Sequence, residues 1–377
     1  EDPFAPSILG SGMVLQMTTR RFLRIVLLAV STNAFNSCGS NGDPVGGPSA
    51  RFPLASEHRI DASRLAEAYD AARLNHGVKC LLVARNGVLV GEEYFNRDGR
   101  DSLYHVRSVT KSVVSILFGI AVDRGLIRSL DLTVKELLGE FGDSMSAAAG
   151  SITIRNLLTM SGGFQWEELR ATYDLSLWAN SNNKVAHVLK LPIADLPGTR
   201  FTYNTAACQL LSAIFKDVTG MSLYDFAVSN LFQPLGLLGA RPWEKDAQGL
   251  NYGGYRLSLT PIDMLNIGQL YLNEGEFGGR RIVSAEWVRS STRAQISTSN
   301  ATPYGPSYGY LWWVGRYQSY DYYFANGYGG QFIVNVPALR LVVVTRSDWT
   351  GTGRTADEQW MQTIDIIMTR VLPAVQP

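Results

Sequence analysis

The sequence predicts an α+β protein: one antiparallel sheet flanked by helices, with an inserted, mainly helical domain. Three observations predict it. Short strand-like segments lie near both ends of the chain, whereas residues 126–280 read as helices joined by loops. The first strands are announced by Asn86-Gly87 between two apolar runs in "KCLLVARNGVLVGEEYF" (79–95), the strongest short hairpin signal. The helical segments carry their own start and stop residues. A sheet assembled from the two ends of the chain is the economical arrangement, and a cleft between it and the helical part is the natural place for a site.

In chain order, "DASRLAEAYDAARLN" (61–75) has helical periodicity and an Asp at its start. After the hairpin comes a helix at about 108–124, apolar on all sides and stopped by Gly125. "TIRNLLTMSGG" (153–163) is a short helix running into a glycine-rich loop, and "AACQLLSAIFKDVTG" (206–220) is a helix ended by Gly220. "SLYDFAVSNLFQPLG" (222–236) and "TPIDMLNIGQLYLNEG" (260–275) are two more, the latter with Pro261 in its first turn. Beyond about 280 the period becomes strand-like in "YGYLWWVG", "YYFANG", "GQFIVNVP" and "LRLVVVTRS", and residues 356–372 close the chain as a helix. The division is thus 51–125 with 281–377 for the α/β domain and 126–280 for the helical one.

The first residues are read apart from the fold. Residues 1–16 look like a vector-derived leader, with Met17 as the start of the native chain. From Met17, three arginines, a short apolar run and small residues up to Cys38 have the layout of a secretory signal, and 39–50 is a flexible linker. Export to the periplasm or outside is the expectation from that segment, with the cytoplasm as its alternative. The Cys38 context only faintly resembles a lipoprotein cleavage site.

A formal charge of +1 and no basic run among aromatics exclude a nucleic-acid binder. Three cysteines without a C-x-x-C and four histidines without metal-like spacing exclude a disulfide framework and a zinc site. Cys80 and Cys208 read as small buried side chains. The 17 Tyr and 8 Trp suit either a wide, half-apolar pocket or an aromatic core.

Two serines compete for chemistry. Ser307 lies in G-x-S-x-G, but Pro306 precedes it, a strand pattern follows it and every histidine lies upstream, so it reads as a loop serine. Ser108 and Lys111 sit one turn apart at the start of the apolar helix. Burial and the positive end of the helix would lower the lysine pKa, letting it accept the serine proton, while the backbone N–H groups there face an oxyanion. The blander account is an N-cap serine and a surface lysine.

"SVTKS" (108–112) and "PGTRFTYNTAACQLLSAIFKDVTG" (197–220), with "LLTMSGGF", "WEKDAQG", "YGYLWW" and "NGYGGQFIVNVP", together resemble the serine β-lactamase and penicillin-binding-protein superfamily. The nearest likeness is to its class C β-lactamase-like esterases, and it extends over most of 60–370. The resemblance implies a β-lactamase/transpeptidase-like fold and an acyl-enzyme on Ser108, with Lys111 and Tyr203 transferring protons and Tyr203 acting as a phenolate base. It implies an oxyanion hole from the backbone N–H groups of Ser108 and Gln331, and substrate contacts from Thr205, Tyr328, Gly329 and Gly330. No metal or cofactor enters such chemistry.

Two departures from the family pattern set the substrate expectation. Thr205 replaces the asparagine of Tyr-x-Asn, and Tyr328 replaces the lysine of Lys-Thr-Gly. Without that lysine an anionic β-lactam is held less well, unless another cation such as Arg346 substitutes. Esters, or uncharged amides, are favoured over penicillins. The expectation is a serine hydrolase of small carboxylic esters; the alternatives are an amidase or β-lactamase of the same superfamily, and a penicillin-binding sensor without turnover. Trp166, Trp243, Asp246, Trp312 and Trp313 read first as packing and second as cleft residues. His105, in the loop before the helix, is a weak catalytic candidate.

Overall fold

The computed structural model describes residues 47–377 apart from 170–172, 238 and 300. The leader, the signal-like segment and Cys38 lie outside the described residues. Helix α1 (Ala62–Leu74) starts at Asp61, whose carboxylate accepts the N–H groups of Ser63 and Arg64. Strands β1 (Val78–Arg85) and β2 (Val88–Tyr94) turn at Asn86-Gly87, with φ of 54° and 80°. Two positive φ values in a two-residue loop are what Asn-Gly accepts most readily.

The chain then enters α2 (Val109–Asp123), in which every residue from Val109 to Ala121 is buried. An all-round apolar helix has no surface to face water, and this one lies between the sheet and the helical middle. Phe118 meets Phe215 of α3 (Ala207–Thr219) at 5.3 Å between ring centroids, and the Ser112 hydroxyl donates to the Leu311 carbonyl at 2.8 Å. Burial of each large apolar side chain here contributes about 1.5–3 kcal/mol.

The middle of the chain is helical, as expected, but its helices are mostly one or two turns long. Helix α4 (Pro261–Leu272) opens with a capping box between Thr260 and Asp263 and has Pro261 in its first turn. After it come β3 (Ile296–Ser297), β4 (Ser307–Tyr308), β5 (Trp313–Tyr317), β6 (Tyr320–Gly327), β7 (Gln331–Val336) and β8 (Leu341–Ser347). The order across the main sheet is β2-β1-β8-β7-β6-β5-β4-β3, with antiparallel pairing throughout. The N-terminal hairpin therefore docks on β8, and the two ends of the chain complete one sheet.

Strands β7 and β8 are buried along their full length because both faces are covered. Phe332 points to Trp360 of α5 (Ala356–Ile366), while the Asn335 amide on the opposite face donates to the Gly268 carbonyl of α4 at 2.7 Å. One segment departs from the strand reading. "YGYLWWVG" is not continuous: Leu311 has φ 60° and the Gly309 N–H closes on the Trp312 carbonyl, so residues 309–312 loop inward. Ser307, expected in a loop, lies on β4 opposite Ser297 and Val314, with no helix behind it. Among the described residues no helix is long and apolar enough to cross a membrane.

Candidate active site

Ser108 is the N-cap of α2, but its side chain makes no capping hydrogen bond. Its hydroxyl instead meets Lys111 Nζ at 2.8 Å. Lys111 is 1% exposed, so the surface-lysine account is excluded. Ser108 itself is half-buried and Arg107 before it is held at φ 52°, a conformation that costs a non-glycine residue energy and is found at functional sites.

Three acceptors surround Lys111 Nζ: Ser108 Oγ at 2.8 Å, Thr205 Oγ1 at 2.8 Å and the Gly254 carbonyl at 2.9 Å. An ammonium has three N–H bonds, which these three acceptors share with the Tyr203 hydroxyl. Tyr203, just before α3, brings its ring to 4.8 Å from Nζ, and its hydroxyl engages the Ser108 and Lys111 side chains. Trp313 of β5 stacks on the other side of that ring, 5.7 Å between centroids at 27°. The starts of two helices distant in sequence thus meet at one point, with Ser108, Lys111 and Tyr203 together.

The protonation expectation for this trio is corrected. Burial pushes the Lys111 ammonium down, but Tyr203, Cys208 and Glu168 around it outweigh burial and hold its pKa above the ordinary lysine value. Burial pushes the Tyr203 phenol up, and the opposing pull of Lys111 is smaller. Both directions favour the protonated form of each group, so Lys111 is less ready to accept the serine proton than burial alone would make it.

Thr205 is also corrected. It is 2% exposed, and its hydroxyl lies between Lys111 and Glu168, donating to Glu168 Oε1 at 2.5 Å. Its backbone N–H and its hydroxyl proton are both committed to Glu168, so it has no donor left for a substrate carbonyl. Gly329 and Gly330 form the β6–β7 turn with φ of 77° and 104°; a Cβ on the first would strike the Trp349 ring, and one on the second would lie 2.8 Å from Thr363 Oγ1. The protein's own packing demands those glycines, whatever the substrate does. Tyr328, in the same turn, is 40% exposed and sits edge-on to Trp349 at 5.1 Å.

Gln331 faces Gly327 across the β6–β7 turn. It opens β7, and its side-chain amide is closed on the Ser347 backbone of β8, with Nε2 donating to the carbonyl at 2.6 Å. The strand that reaches the α2 start is β6: a Cβ on Gly327 would lie 2.5 Å from the Val106 carbonyl. Arg346 is no substitute cation for the site, because it pairs with Asp98 at 2.8 Å with the two side chains 8% and 1% exposed.

The remaining candidates are placed as packing. Trp312 is stacked on Tyr271 in the core, and Trp243 donates to the Tyr252 carbonyl. Asp246 holds a turn through the N–H groups of Gln248 and Leu250, and His105 points to Glu244 at 3.2 Å. Cys80 and Cys208 are buried free thiols. Among the described residues no group of His, Cys, Asp and Glu side chains is placed to hold a metal ion. Two members of the site went unnoticed in the sequence: Glu168 and Gly254. The one hint was the Gly253-Gly254 doublet between two helical segments.

Residues 63–366 match the family model described as Beta-lactamase. The chain belongs to the beta-lactamase family. It shares 24% identity over 291 residues with a 6-aminohexanoate-dimer hydrolase of Paenarthrobacter ureafaciens, which covers 71% of this chain and 72% of that protein. It shares 24% over 238 residues with a lovastatin esterase of Penicillium rubens, covering 55% and 58%. Among solved structures, EstCE1, a hydrolase with promiscuous acyltransferase activity, superposes with a TM-score of 0.65 at 18% identity, over 81% of this chain and 98% of that one. The fold of this beta-lactamase-family member is the β-lactamase/transpeptidase type, and it stands among β-lactamase-like serine hydrolases.

Proposed function

We propose that this member of the family is a serine hydrolase of small carboxylic esters, working through an acyl-enzyme on Ser108. The observation that carries the reading is Lys111 Nζ, fully buried and 2.8 Å from the hydroxyl of a half-buried serine that caps nothing. In this reading the Lys111–Tyr203 pair first releases one proton to solvent. Ser108 Oγ then attacks the ester carbonyl, its proton passes into the pair, and the carbonyl electrons move onto oxygen. The oxyanion takes the Ser108 N–H at the start of α2 and, in place of Gln331, the N–H of Tyr328, the residue that follows Gly327 at the end of β6. The pair protonates the leaving alkoxide, and water repeats the sequence to free the acid.

An ester rather than a β-lactam fits the site because Tyr328 is neutral and Arg346 is bound to Asp98, leaving neither to hold a substrate carboxylate. Amide cleavage is the second reading, supported by the likeness to a 6-aminohexanoate-dimer hydrolase over most of both chains. The test is turnover of a short-chain p-nitrophenyl ester and of a matched anilide by wild type and Ser108→Ala. Ester turnover lost in the variant supports the proposal, and unchanged turnover ends it. An anilide preferred to the ester moves the assignment to amidase.

A further inference from the structure

The contacts of Thr205 fix a direction for the catalytic lysine. Its backbone N–H donates to Glu168 Oε2 at 2.7 Å, and its hydroxyl donates to Oε1 at 2.5 Å. Oε2 also accepts the Trp166 indole N–H at 3.0 Å. A hydroxyl has one proton, and an ionised carboxylate only accepts. With that proton on Glu168, the Thr205 oxygen can meet Lys111 Nζ, at 2.8 Å, only as an acceptor. The Gly254 carbonyl, at 2.9 Å, accepts by its nature. Two N–H bonds of Lys111 are therefore assigned whatever its charge. The remaining position on Nζ faces Ser108 Oγ, with the Tyr203 hydroxyl beside it. In the ammonium it holds a proton; in the amine it holds the lone pair.

We propose that Glu168 is a positioning residue: by taking the Thr205 hydroxyl proton, it makes Lys111 lose its own proton on the Ser108 side, so that the amine lone pair points at the serine hydroxyl. The inference rests on the Ser108 acyl-enzyme reading above. The ammonium gives that one proton to solvent, the Ser108 O–H turns to donate to Nζ, and on attack the serine proton returns the amine to ammonium. Ser108 is the one acceptor of the three able to reverse its role, which is why the cradle selects a side. Glu168 acts through Thr205 and needs no contact with substrate.

Glutamine at 168 cannot reproduce this. Three donors converge on the carboxylate, and a carboxamide has one oxygen. If that oxygen keeps the two N–H donors, its NH2 group faces Thr205 Oγ1, which must then accept and turn its proton toward Lys111. The groups facing Lys111 are Tyr203, Cys208 and Glu168, together with the hydroxyls of Ser108 and Thr205. Loss of the Glu168 anion removes one charge that favours the ammonium, so the acid limb of the rate profile moves to lower pH even as the plateau falls.

The experiment measures kcat and KM of the full chain on a short-chain p-nitrophenyl ester across pH, for Glu168→Gln, Thr205→Val, Thr205→Ser and the double variant Glu168→Gln/Thr205→Val. Misdirecting the base in Glu168→Gln is expected to lower kcat roughly 100-fold with KM nearly unchanged. The acid limb shifts down, and Thr205→Ser recovers most of the rate lost in Thr205→Val. The double variant is no slower than Thr205→Val, because Glu168 works only through that hydroxyl. The inference is overturned by Glu168→Gln with kcat and acid limb unchanged, or by losses that add in the double variant. If Glu168→Gln does not fold, equal kcat in Thr205→Val and Thr205→Ser overturns it as well. Ser108→Ala and Lys111→Ala separate the two levels. Turnover surviving in them removes the acyl-enzyme reading and this inference together, whereas turnover lost in them with Glu168→Gln silent removes this inference alone.

Discussion

Lys111 Nζ lies 2.9 Å from the carbonyl oxygen of Gly254, a residue 143 positions further along the chain. No side chain fits at 254: a Cβ there would lie 2.7 Å from Thr205 Cγ2, 2.9 Å from the Thr205 carbonyl and 3.4 Å from Nζ. Gly254→Ala therefore has to push the carbonyl or Thr205 out of place. We expect kcat on the ester to fall roughly 100-fold while the fold is kept, since a displacement near 1 Å costs that much in a positioned site. Steady-state kinetics with a thermal-melt control checks this.

Lys111→Met and Tyr203→Phe remove the two groups proposed to transfer protons while keeping much of their bulk. Each is expected to lower kcat by about 10²- to 10⁴-fold. The double variant should be scarcely slower than the worse single one, because groups that act as a unit do not add. Single-turnover release of p-nitrophenol distinguishes slow acylation from slow release.

The pH dependence follows from the resting protonation state. Both Lys111 and Tyr203 have pKa values raised above their ordinary ones, and in the proposed mechanism the pair acts after losing one proton. Activity is therefore low in acid and should climb through neutral pH into the alkaline range, the apparent pKa belonging to the pair. A kcat/KM profile on an ester stable in mild base measures it; a limb falling from pH 6 upward would have the wrong sign.

With Arg346 held by Asp98 and a tyrosine at 328, neither of those positions offers a cation to a β-lactam carboxylate. Nitrocefin should be hydrolysed with a kcat/KM well below that of the ester. Comparable values would show that another cation serves the site.

Asp98 and Arg346 form a buried pair, and removing one partner leaves the other charge without compensation. Asp98→Ala is expected to destabilise the protein by about 3–5 kcal/mol. Urea unfolding followed by tryptophan fluorescence reads this directly.

Much of this was legible in the sequence because local chemistry encodes it. The Asn86-Gly87 turn, the all-apolar α2 and the Thr260–Pro261 helix start each depend on residues within one element. Ser108, Lys111 and Tyr203 were legible through ordered motifs, although nothing local says that two helix starts will meet. What was misread depends on strand order and on loops. Gln331 was read as the oxyanion donor, whereas the approach of β6 to the start of α2 is made by Gly327, beside Tyr328. Thr205 looked like a substrate ligand because its partners, Lys111 and Glu168, are 94 and 37 residues away. The lysine protonation state was misjudged because burial and the helix end could be anticipated, whereas the acidic groups brought in by other segments could not.

The central claim is that Ser108 carries the acyl group. The most direct measurement is intact-protein mass after reaction with a p-nitrophenyl phosphonate ester, followed by peptide mapping, in wild type and Ser108→Ala. The account predicts one adduct, located on Ser108, formed in step with the loss of ester turnover and absent from Ser108→Ala. An adduct on any other residue, or a wild type that is fully inhibited while Ser108 stays unmodified, would contradict it.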